Sequence, residues 1–177
     1  MTETQITWIN QLKKGNELAA YNVYNSYSKA MYNTLIRMAG DSEIAKDLLQ
    51  EAFIKAFKKV KELDEPKAFG GWLKRIVINT GLEHLRKKQY VFEEIDSQKE
   101  IEEEIDDDFQ IESDKIHQAI KQLPDGCRTV LCLFLLEGYK HSEIASELGI
   151  SESTSKTQYR HAKILLKEKL SYHYENR

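Results

Sequence analysis

Residues Tyr139 to Leu170 read YKHSEIASELGISESTSKTQYRHAKILLKEKL, a pattern that predicts two helices joined by a tight turn. Ile144, Ala145 and Leu148 share the apolar face of the first helix. Gly149 follows where a helix commonly ends, and the small side chain of Ala145 lets two helices cross closely. This spacing is typical of a helix-turn-helix, a motif whose second helix can enter the major groove of DNA.

The second helix of this motif begins after Ser151, which can cap it, and it divides into an apolar and a basic side. Its core face is predicted to contain Ser155, Tyr159, Ala162 and Leu166. Its basic stripe consists of Lys156, Arg160, Lys163 and Lys167, beside Thr154 and Thr157. The hydroxyl of Ser155 can bond to the carbonyl four residues earlier, which permits its burial. An αα-hairpin with a lysine-rich solvent face and no ligand is the alternative.

Two further helices are predicted before this motif. Lys115 to Leu123 is amphipathic and is ended by Pro124-Asp125-Gly126. Thr129 to Glu137 is apolar on nearly every side, which favours a helix buried among others, and Gly138 ends it. Together with the helix-turn-helix they predict a C-terminal four-helix domain.

The N-terminal block also has helical periodicity. Asp41 is a good N-cap, and apolar side chains follow at three- and four-residue steps at Ile44, Leu48, Leu49, Ala52, Phe53, Ala56, Phe57 and Val60. Asp47, Gln50 and Glu51 are spaced to form one polar patch on the other side, whereas Phe53 is expected in the core.

A second N-terminal helix is predicted from Trp72 to Lys88, after a turn at Leu63 to Gly71 that contains Pro66 and Gly70-Gly71. Its polar ridge consists of Arg75, Asn79, Glu83 and Arg86, flanked by Lys74, Lys87 and Lys88. Cations can hold phosphates, an amide can contact a base edge, and aromatic side chains such as Phe69 and Trp72 can stack on an unpaired base. A solvated helix face without a ligand is the alternative.

The charge distribution predicts where the domains end. The chain has 177 residues and a net charge of -3, but residues 1–90 carry +5, residues 91–114 carry -11 and residues 115–177 carry +3. A segment with so much like charge is expected to remain extended and solvated. We therefore expect an all-α protein with two small helical domains, at 1–90 and 115–177, joined by an acidic linker at 91–114.

Several classes of protein are disfavoured by the sequence. No apolar run has the length of about 20 residues that a membrane span needs, and the N-terminus lacks the pattern of a signal peptide. Cys127 and Cys132 fit neither a disulfide framework nor a zinc site, and Cys127 has no convincing histidine partner in the sequence. His141 and Glu143 form an H-x-E without the cysteine pair of zinc deaminases. We expect no metal, no cofactor and no enzymatic activity.

The motifs occur in an order that resembles a known family over nearly the whole chain. DLLQEAF at Asp47 to Phe53 is followed by FGGWLKRIVINTGLEHLRKK at Phe69 to Lys88, by the acidic segment and by the helix-turn-helix ending in AKILLKEKL. This order is similar to that of bacterial RNA polymerase sigma factors of the two-domain, extracytoplasmic-function type. The resemblance implies sigma region 2 within 1–90, sigma region 4 within 115–177, and a promoter-specificity factor that helps to melt DNA.

The resemblance also implies roles for individual residues. Core RNA polymerase would be bound by Asp47, Gln50 and Glu51. The minus-ten promoter element would be contacted by Lys67, Phe69, Trp72, Lys74, Arg75, Asn79, Glu83, Arg86 and Lys87. The minus-thirty-five element would be contacted by Ser153, Thr154, Lys156, Thr157, Arg160 and Lys163.

The resemblance also implies partners, namely core RNA polymerase, promoter DNA and an inhibitory anti-sigma factor. The lack of a membrane span, a signal-peptide pattern and a disulfide framework in the sequence predicts a cytoplasmic protein without membrane insertion. The acidic linker would span at most about 80 Å when extended, enough for two DNA sites roughly 70 Å apart. A stand-alone helix-turn-helix regulator is the alternative function, but it would leave the DLLQEAF patch and the Asn79 ridge unexplained.

Overall fold

The structure, a computed structural model, describes residues 1–87 and 113–175. The chain divides into two compact units, Met1–Lys88 and Gln89–Arg177. The described residues form helices and connecting turns without a strand, which confirms the prediction of an all-α protein with two helical domains. The predicted acidic linker lies almost entirely outside the described residues, and only its last two positions belong to a described helix.

The N-terminal domain contains four α-helices: α1 at Glu3–Lys13, α2 at Glu17–Ala39, α3 at Ser42–Lys59 and α4 at Phe69–Lys87. Side-chain caps start the first three of them. Thr2 and Gln5 form a capping box at α1, Asn16 caps α2, and Asp41 accepts from the backbone N–H groups of Glu43 and Ile44 at α3. The predicted Asp41 cap is therefore confirmed.

Close packing of α2, α3 and α4 forms the N-terminal core. Leu35, Leu73 and Val77 are fully buried in this domain, and Phe53 is buried as predicted. Gly81 of α4 faces Met38 of α2, and a Cβ added at Gly81 would lie 3.1 Å from the Met38 Cε atom. The absence of a side chain at Gly81 therefore lets α4 approach α2 closely.

The start of α4 differs from the sequence prediction. Gly70 and Gly71 were expected to belong to the preceding turn, but α4 begins at Phe69 and contains both glycines in its first turn. A 3-10 turn at Pro66–Ala68 precedes it. Pro66 fixes a backbone φ angle that is suited to starting a helix. The backbone N–H groups of the first helical turn have no intrahelical acceptor, so glycines are tolerated there and the helix can begin at Phe69.

The C-terminal domain contains α5 at Ser113–Lys121, α6 at Asp125–Leu131, α7 at His141–Leu148 and α8 at Glu152–Glu175. A π-helical turn at Cys132–Leu136 continues α6. The four α-helices confirm the predicted four-helix domain, and its core includes Leu131 and Ala162.

The end of the apolar segment differs from the prediction that it is buried. Leu133 is fully buried, but Leu135 and Leu136 are 61% and 42% exposed. The segment packs against α7 and α8, and its sequence is apolar on nearly all sides. Some of its leucines must therefore face away from the core.

Gly149 connects the two helices of the predicted motif. It has φ +68° and ψ 32°, the left-handed conformation, and its backbone N–H donates to the Ala145 carbonyl. A Cβ added at Gly149 would meet no atom within 4 Å, so a substitution there is limited by backbone conformation rather than by space.

Replacing Gly149 with valine is expected to destabilise the C-terminal domain by about 1–2 kcal/mol, because a β-branched residue is disfavoured in the left-handed region. Gly149→Asn should cost less, since asparagine tolerates this region. Chemical denaturation followed by circular dichroism would measure both variants. Fluorescence of Trp8 and Trp72, the two tryptophans of the chain, reports on the N-terminal domain as an internal control. Equal losses for both variants would contradict this explanation.

Candidate nucleic-acid and protein interfaces

The predicted polar patch lies on the exposed side of α3. Asp47, Gln50 and Glu51 are all exposed and occupy neighbouring positions on one helix face. Ile54 continues the same face and is 55% exposed. These four residues are called the α3 patch below. An exposed isoleucine among polar side chains is a common feature of protein interfaces, where apolar contacts are rimmed by polar ones.

Ile54 was not predicted as a contact residue, although the sequence contains a signal for it. Ile54 falls outside the apolar three- and four-residue pattern of α3 and occupies the helix position that completes the patch of Asp47, Gln50 and Glu51. An apolar residue on the polar side of an amphipathic helix is a candidate contact residue.

The predicted ridge is an exposed face of α4. Arg75, Asn79, Glu83 and Arg86 are exposed along this helix, and Lys87 is exposed at its end. Lys74 is half-buried. The structure thus brings the predicted cations and the Asn79 amide onto one helix, where they can contact an extended polyanion.

Phe69 requires a correction. It was expected to stack on a base, but its side chain is fully buried. Its ring packs edge-to-face against Tyr27, with centroids 5.3 Å apart, and lies 5.7 Å from the Trp72 ring. A phenylalanine beside two glycines resembled a loop residue in the sequence, whereas the early start of α4 turns it into the core. Phe69 is therefore a structural residue that supports Trp72.

A pocket of about 820 Å³ adjoins the ridge. Its walls include the aromatic rings of Tyr27 and Trp72, the backbone of Gly71 and the cationic side chains of Lys67 and Arg75. Burial raises the pKa of Tyr27, so its hydroxyl remains protonated at neutral pH. A pocket with aromatic walls and two cations has the chemistry needed to hold an unstacked base and its phosphate.

An ion-paired lysine lies between the α3 patch and the ridge. The Lys55 Nζ atom is 2.8 Å from Glu51 Oε1 and 2.7 Å from Glu83 Oε2. The hydrogen bond from Lys55 lowers the pKa of Glu83. Burial by itself would lower the pKa of Lys55, but the two glutamates outweigh it and raise that pKa. Lys55 and Glu83 are therefore both charged at neutral pH.

The predicted DNA-contacting residues of α8 lie near its start. Ser153, Lys156, Arg160 and Lys163 are exposed, whereas Thr154 and Thr157 are half-buried. The Ser151 Oγ atom accepts from the Thr154 backbone N–H at 2.9 Å, which confirms the predicted cap.

Two of the lysines in this stripe already have partners within the helix. Lys156 Nζ forms an ion pair with Glu152 at 2.7 Å. The Lys163 ammonium lies 5.3 Å from the centroid of the Tyr159 ring, a cation–π distance. These contacts hold the two side chains on the same side of α8.

Ser155 is fully buried, as predicted, but its hydroxyl has a different partner from the one expected. Its Oγ atom lies 2.9 Å from His141 Nδ1, at the start of α7. The His141 ring also stacks on Phe134, with centroids 4.3 Å apart. Ser155 thus links α7 and α8 through its contact with His141. Helical periodicity cannot predict such a contact between side chains of two helices.

The stability of the C-terminal domain is expected to decrease as the pH falls below about 7. Burial, followed by the charge of Lys156, lowers the pKa of His141 from its ordinary value of 6.5, with Glu152 opposing. The unfolded chain then binds the proton more readily than the folded chain, so stability is lost as pH falls through 6.5 and levels off once folded His141 is protonated. Hydrogen exchange of α7 and α8 amides would measure this.

The control for this pH dependence is a second histidine. His141→Gln should reduce the slope of stability against pH, while the same change at His117, an exposed residue of α5, should leave it. An unchanged slope in His141→Gln would assign the dependence to other groups.

Both cysteines are free, which agrees with the absence of a disulfide pattern in the sequence, and both are buried. However, the expectation that Cys127 lacks a histidine partner is wrong, because its Sγ atom lies 3.6 Å from His161 Nδ1 and 3.0 Å from Gln158 Oε1. Cys127 is fully buried, which separates its thiol from solvent and from any substrate. The described residues contain no group of three histidine, cysteine or acidic side chains arranged to hold a metal. No helix within the described ranges is long and apolar enough to cross a membrane.

Two protein-family models match the chain, and they match its two domains in order. Sigma-70 region 2 matches residues 23–90, and Sigma-70, region 4 matches residues 113–166. The ECF RNA polymerase sigma factor SigW of Bacillus subtilis (strain 168) is 31% identical over 176 residues, covering 92% of this chain and 94% of SigW. The RNA polymerase sigma-H factor of Pseudomonas aeruginosa is 29% identical over 164 residues, covering 85% of each protein.

Solved structures show the same fold. The sigma factor RpoE from Bartonella quintana, in complex with the anti-sigma factor NepR, gives a TM-score of 0.52 at 20% identity, covering 85% of this chain and 96% of the matched chain. CnrH, in complex with the cytosolic domain of CnrY, gives 0.51 at 18% identity, with coverages of 96% and 99%. Both family regions and the near full-length match to SigW show that this chain belongs to the extracytoplasmic-function RNA polymerase sigma factors, promoter-specificity proteins that bind core polymerase and DNA and are not enzymes.

Proposed function

We propose that the three exposed surfaces divide the work of a sigma factor. The α3 patch binds core RNA polymerase, the α4 ridge and its pocket bind the melted minus-ten element, and the first turns of α8 contact the minus-thirty-five element. In domain terms, residues 1–90 contact polymerase and the minus-ten element, residues 91–114 connect the domains, and residues 115–177 contact the minus-thirty-five element.

The observation that carries the minus-ten assignment is the junction between the pocket and the ridge. Arg75 belongs to both, and Lys67 and Trp72 line the pocket beside it. A base that leaves the DNA stack needs an aromatic surface and its phosphate needs cations, and both are present within a few residues. The ridge supplies Asn79 for a base edge and Arg86 for the neighbouring backbone. With Phe69 withdrawn, the candidate residues are Lys67, Trp72, Lys74, Arg75, Asn79, Glu83, Arg86 and Lys87.

The minus-thirty-five assignment is supported by the geometry of the motif. Gly149 and the Ser151 cap set the start of α8, and the exposed side of its first three turns carries Ser153, Lys156 and Arg160. Helix-turn-helix proteins contact base edges with the early residues of the second helix. Among these residues we assign Ser153 and Arg160 to base edges and Lys156 and Lys163 to the DNA backbone, and Thr154 and Thr157 border the same face.

An anti-sigma factor is the further partner that we propose. Both solved structures described above are of complexes, RpoE with the anti-sigma factor NepR and CnrH with the cytosolic domain of CnrY. Since polymerase is a cytoplasmic enzyme complex, we place this protein in the cytoplasm. A stand-alone DNA-binding regulator is not favoured, because it would account for the region 4 match and leave the region 2 match without a role.

In vitro transcription on fragmented genomic DNA tests the proposed function. Core RNA polymerase from the source bacterium with this protein should produce discrete new 5′ ends that core enzyme alone does not produce. Sequences upstream of these ends would define both promoter elements. Absence of new starts together with tight binding of the free protein to duplex DNA would support the stand-alone regulator instead.

Promoter opening tests the pocket. The double variant Lys67→Gln/Arg75→Gln is expected to slow opening about tenfold, because it removes both cations that line the pocket. Fluorescence of 2-aminopurine placed in the minus-ten element would follow opening by the holoenzyme. The matched control is Lys58→Gln/Lys61→Gln, which removes two exposed cations outside the pocket. Equal slowing by the two pairs would indicate a general charge effect.

A further inference from the structure

Lys55 occupies the boundary between two surfaces that the proposed function assigns to different partners. Its Nζ atom contacts Glu51 of the α3 patch and Glu83 of the α4 ridge at 2.8 Å and 2.7 Å, and Thr80 Oγ1 lies 3.5 Å away. An ammonium group has three donors, which is enough to serve both carboxylates at once. One side chain therefore holds a proposed polymerase contact and a proposed DNA contact.

The ion pairs across Lys55 are more constrained than ordinary surface pairs. The Lys55 side chain is 34% exposed, whereas that of Lys46 on the same helix is 56% exposed. Within the described residues, Lys46 forms an ion pair only with Glu43, three positions away on the same helix. The Glu83 contact also joins α3 to α4 rather than two turns of one helix. A link between helices fixes where the Glu83 carboxylate points.

The charge of Glu83 makes this orientation important for a DNA-binding ridge. An unpaired carboxylate among Arg75, Asn79 and Arg86 would repel phosphates and would be free to rotate. When Glu83 Oε2 is paired with Lys55, the negative charge of the carboxylate is compensated at that oxygen. The other oxygen can then accept a hydrogen bond from a base amino group.

We propose that Lys55 is a positioning residue that orients Glu83 for base discrimination in the minus-ten element and ties this orientation to Glu51 in the polymerase-binding patch. This inference rests on the proposed function of the two surfaces. Glu51, Lys55 and Glu83 together carry one net negative charge. A cation of polymerase bound at Glu51 compensates that charge, so the ridge becomes more attractive to DNA when polymerase is bound.

Holoenzyme binding to fork-junction DNA tests the inference. The single-stranded minus-ten segment carries each of the four bases in turn at each position, and the readout is the ranking of the four affinities. Lys55→Met is expected to weaken binding to the preferred base about threefold to fivefold and to flatten the ranking. Lys55→Arg should restore the ranking, because a guanidinium can also bridge two carboxylates.

The matched control is Lys46→Met, which removes one lysine and one ion pair from the same helix without touching Glu83. It should leave the base ranking unchanged. Thermal unfolding of each free variant provides a check on folding. A loss of stability in Lys55→Met without a change in the base ranking would reduce Lys55 to a structural residue and overturn the inference.

A double-mutant cycle separates this inference from the proposed function. Glu83→Gln should alter the base ranking by itself, and Lys55→Met should then have no further effect on it. If Glu83→Gln leaves the ranking unchanged, the proposed placement of Glu83 at DNA fails. If Glu83→Gln changes the ranking but Lys55→Met does not, or if the two effects simply add, Lys55 does not act through Glu83 and the inference alone fails.

Discussion

The double variant Gln50→Ala/Ile54→Ala is expected to lose roughly 30-fold or more in affinity for core RNA polymerase. The two side chains are neighbours in the α3 patch, one turn apart, and Ile54 is 55% exposed in the free protein. An exposed apolar side chain gains free energy when a partner removes it from water, and an amide beside it must find new hydrogen-bond partners in the complex. Truncating both removes the apolar side chain and the amide of the patch, while its carboxylates Asp47 and Glu51 remain.

Competition against labelled wild-type protein for core polymerase would measure this loss. Both substitutions are neutral and both residues are exposed, so net charge is unchanged and the domain should stay folded. The control is Tyr21→Ala/Asn25→Ala, which truncates an exposed aromatic residue and an exposed amide at the same spacing on α2. Polymerase binding that survives in Gln50→Ala/Ile54→Ala would contradict the assignment of the α3 patch.

Patterns local to one helix were sufficient to predict most of the fold. The Asp41 cap, the apolar repeat that follows it and the Gly149 turn each depend on residues within a few positions of one another. Local backbone preferences therefore decide these elements, and the structure confirms the cap, the helix over Ser42–Lys59 and the turn. The buried positions of Phe53 and Ser155 follow from the same periodicity.

The start of α4 shows where this reasoning fails. Two successive glycines are usually signs of a turn, and they led to the exposed placement of Phe69. In the structure Phe69 packs against Tyr27 and Trp72, and this packing places the start of α4 at Phe69. The free energy gained by burying the aromatic ring outweighs the weak helix propensity of the two glycines. Tertiary contact of this kind has no signature in the local sequence.

Contacts between helices form the second group that the sequence could not specify. Lys55 and Glu83 are 28 residues apart, and His141 and Ser155 are 14 apart. Periodicity predicts which face of a helix a residue occupies, but it does not determine which residue of another helix lies opposite. The side-chain links that organise the candidate surfaces are therefore found only in the structure.

Arg160→Gln is expected to lower holoenzyme affinity for promoters that depend on the minus-thirty-five element by roughly 5- to 100-fold. Arg160 is exposed on α8, two turns beyond the Ser151 cap, where a side chain of its length can reach base edges in the major groove. A guanidinium binds two acceptors of guanine at once, and glutamine cannot reproduce that geometry. The loss should therefore depend on the base sequence of the element.

Lys156→Gln provides a contrasting result on the same face. Its ammonium is already paired with Glu152 at 2.7 Å, so the free energy gained on meeting a phosphate is partly offset by the loss of that pair. We expect a loss of about twofold that is uniform across promoter sequences and that shrinks as salt concentration rises. Lys121→Gln on α5, which removes an exposed cation outside α8, should change neither affinity nor specificity.

Affinities across a set of minus-thirty-five variants, each measured at two salt concentrations, distinguish these effects. Arg160→Gln should compress the differences between variant sequences, because a residue that contacts base edges contributes only where the base is correct. Lys156→Gln should shift all sequences together. If Arg160→Gln also shifts all sequences together, Arg160 contacts the DNA backbone, and base recognition must then come from Ser153, Thr154 or Thr157 at the start of α8.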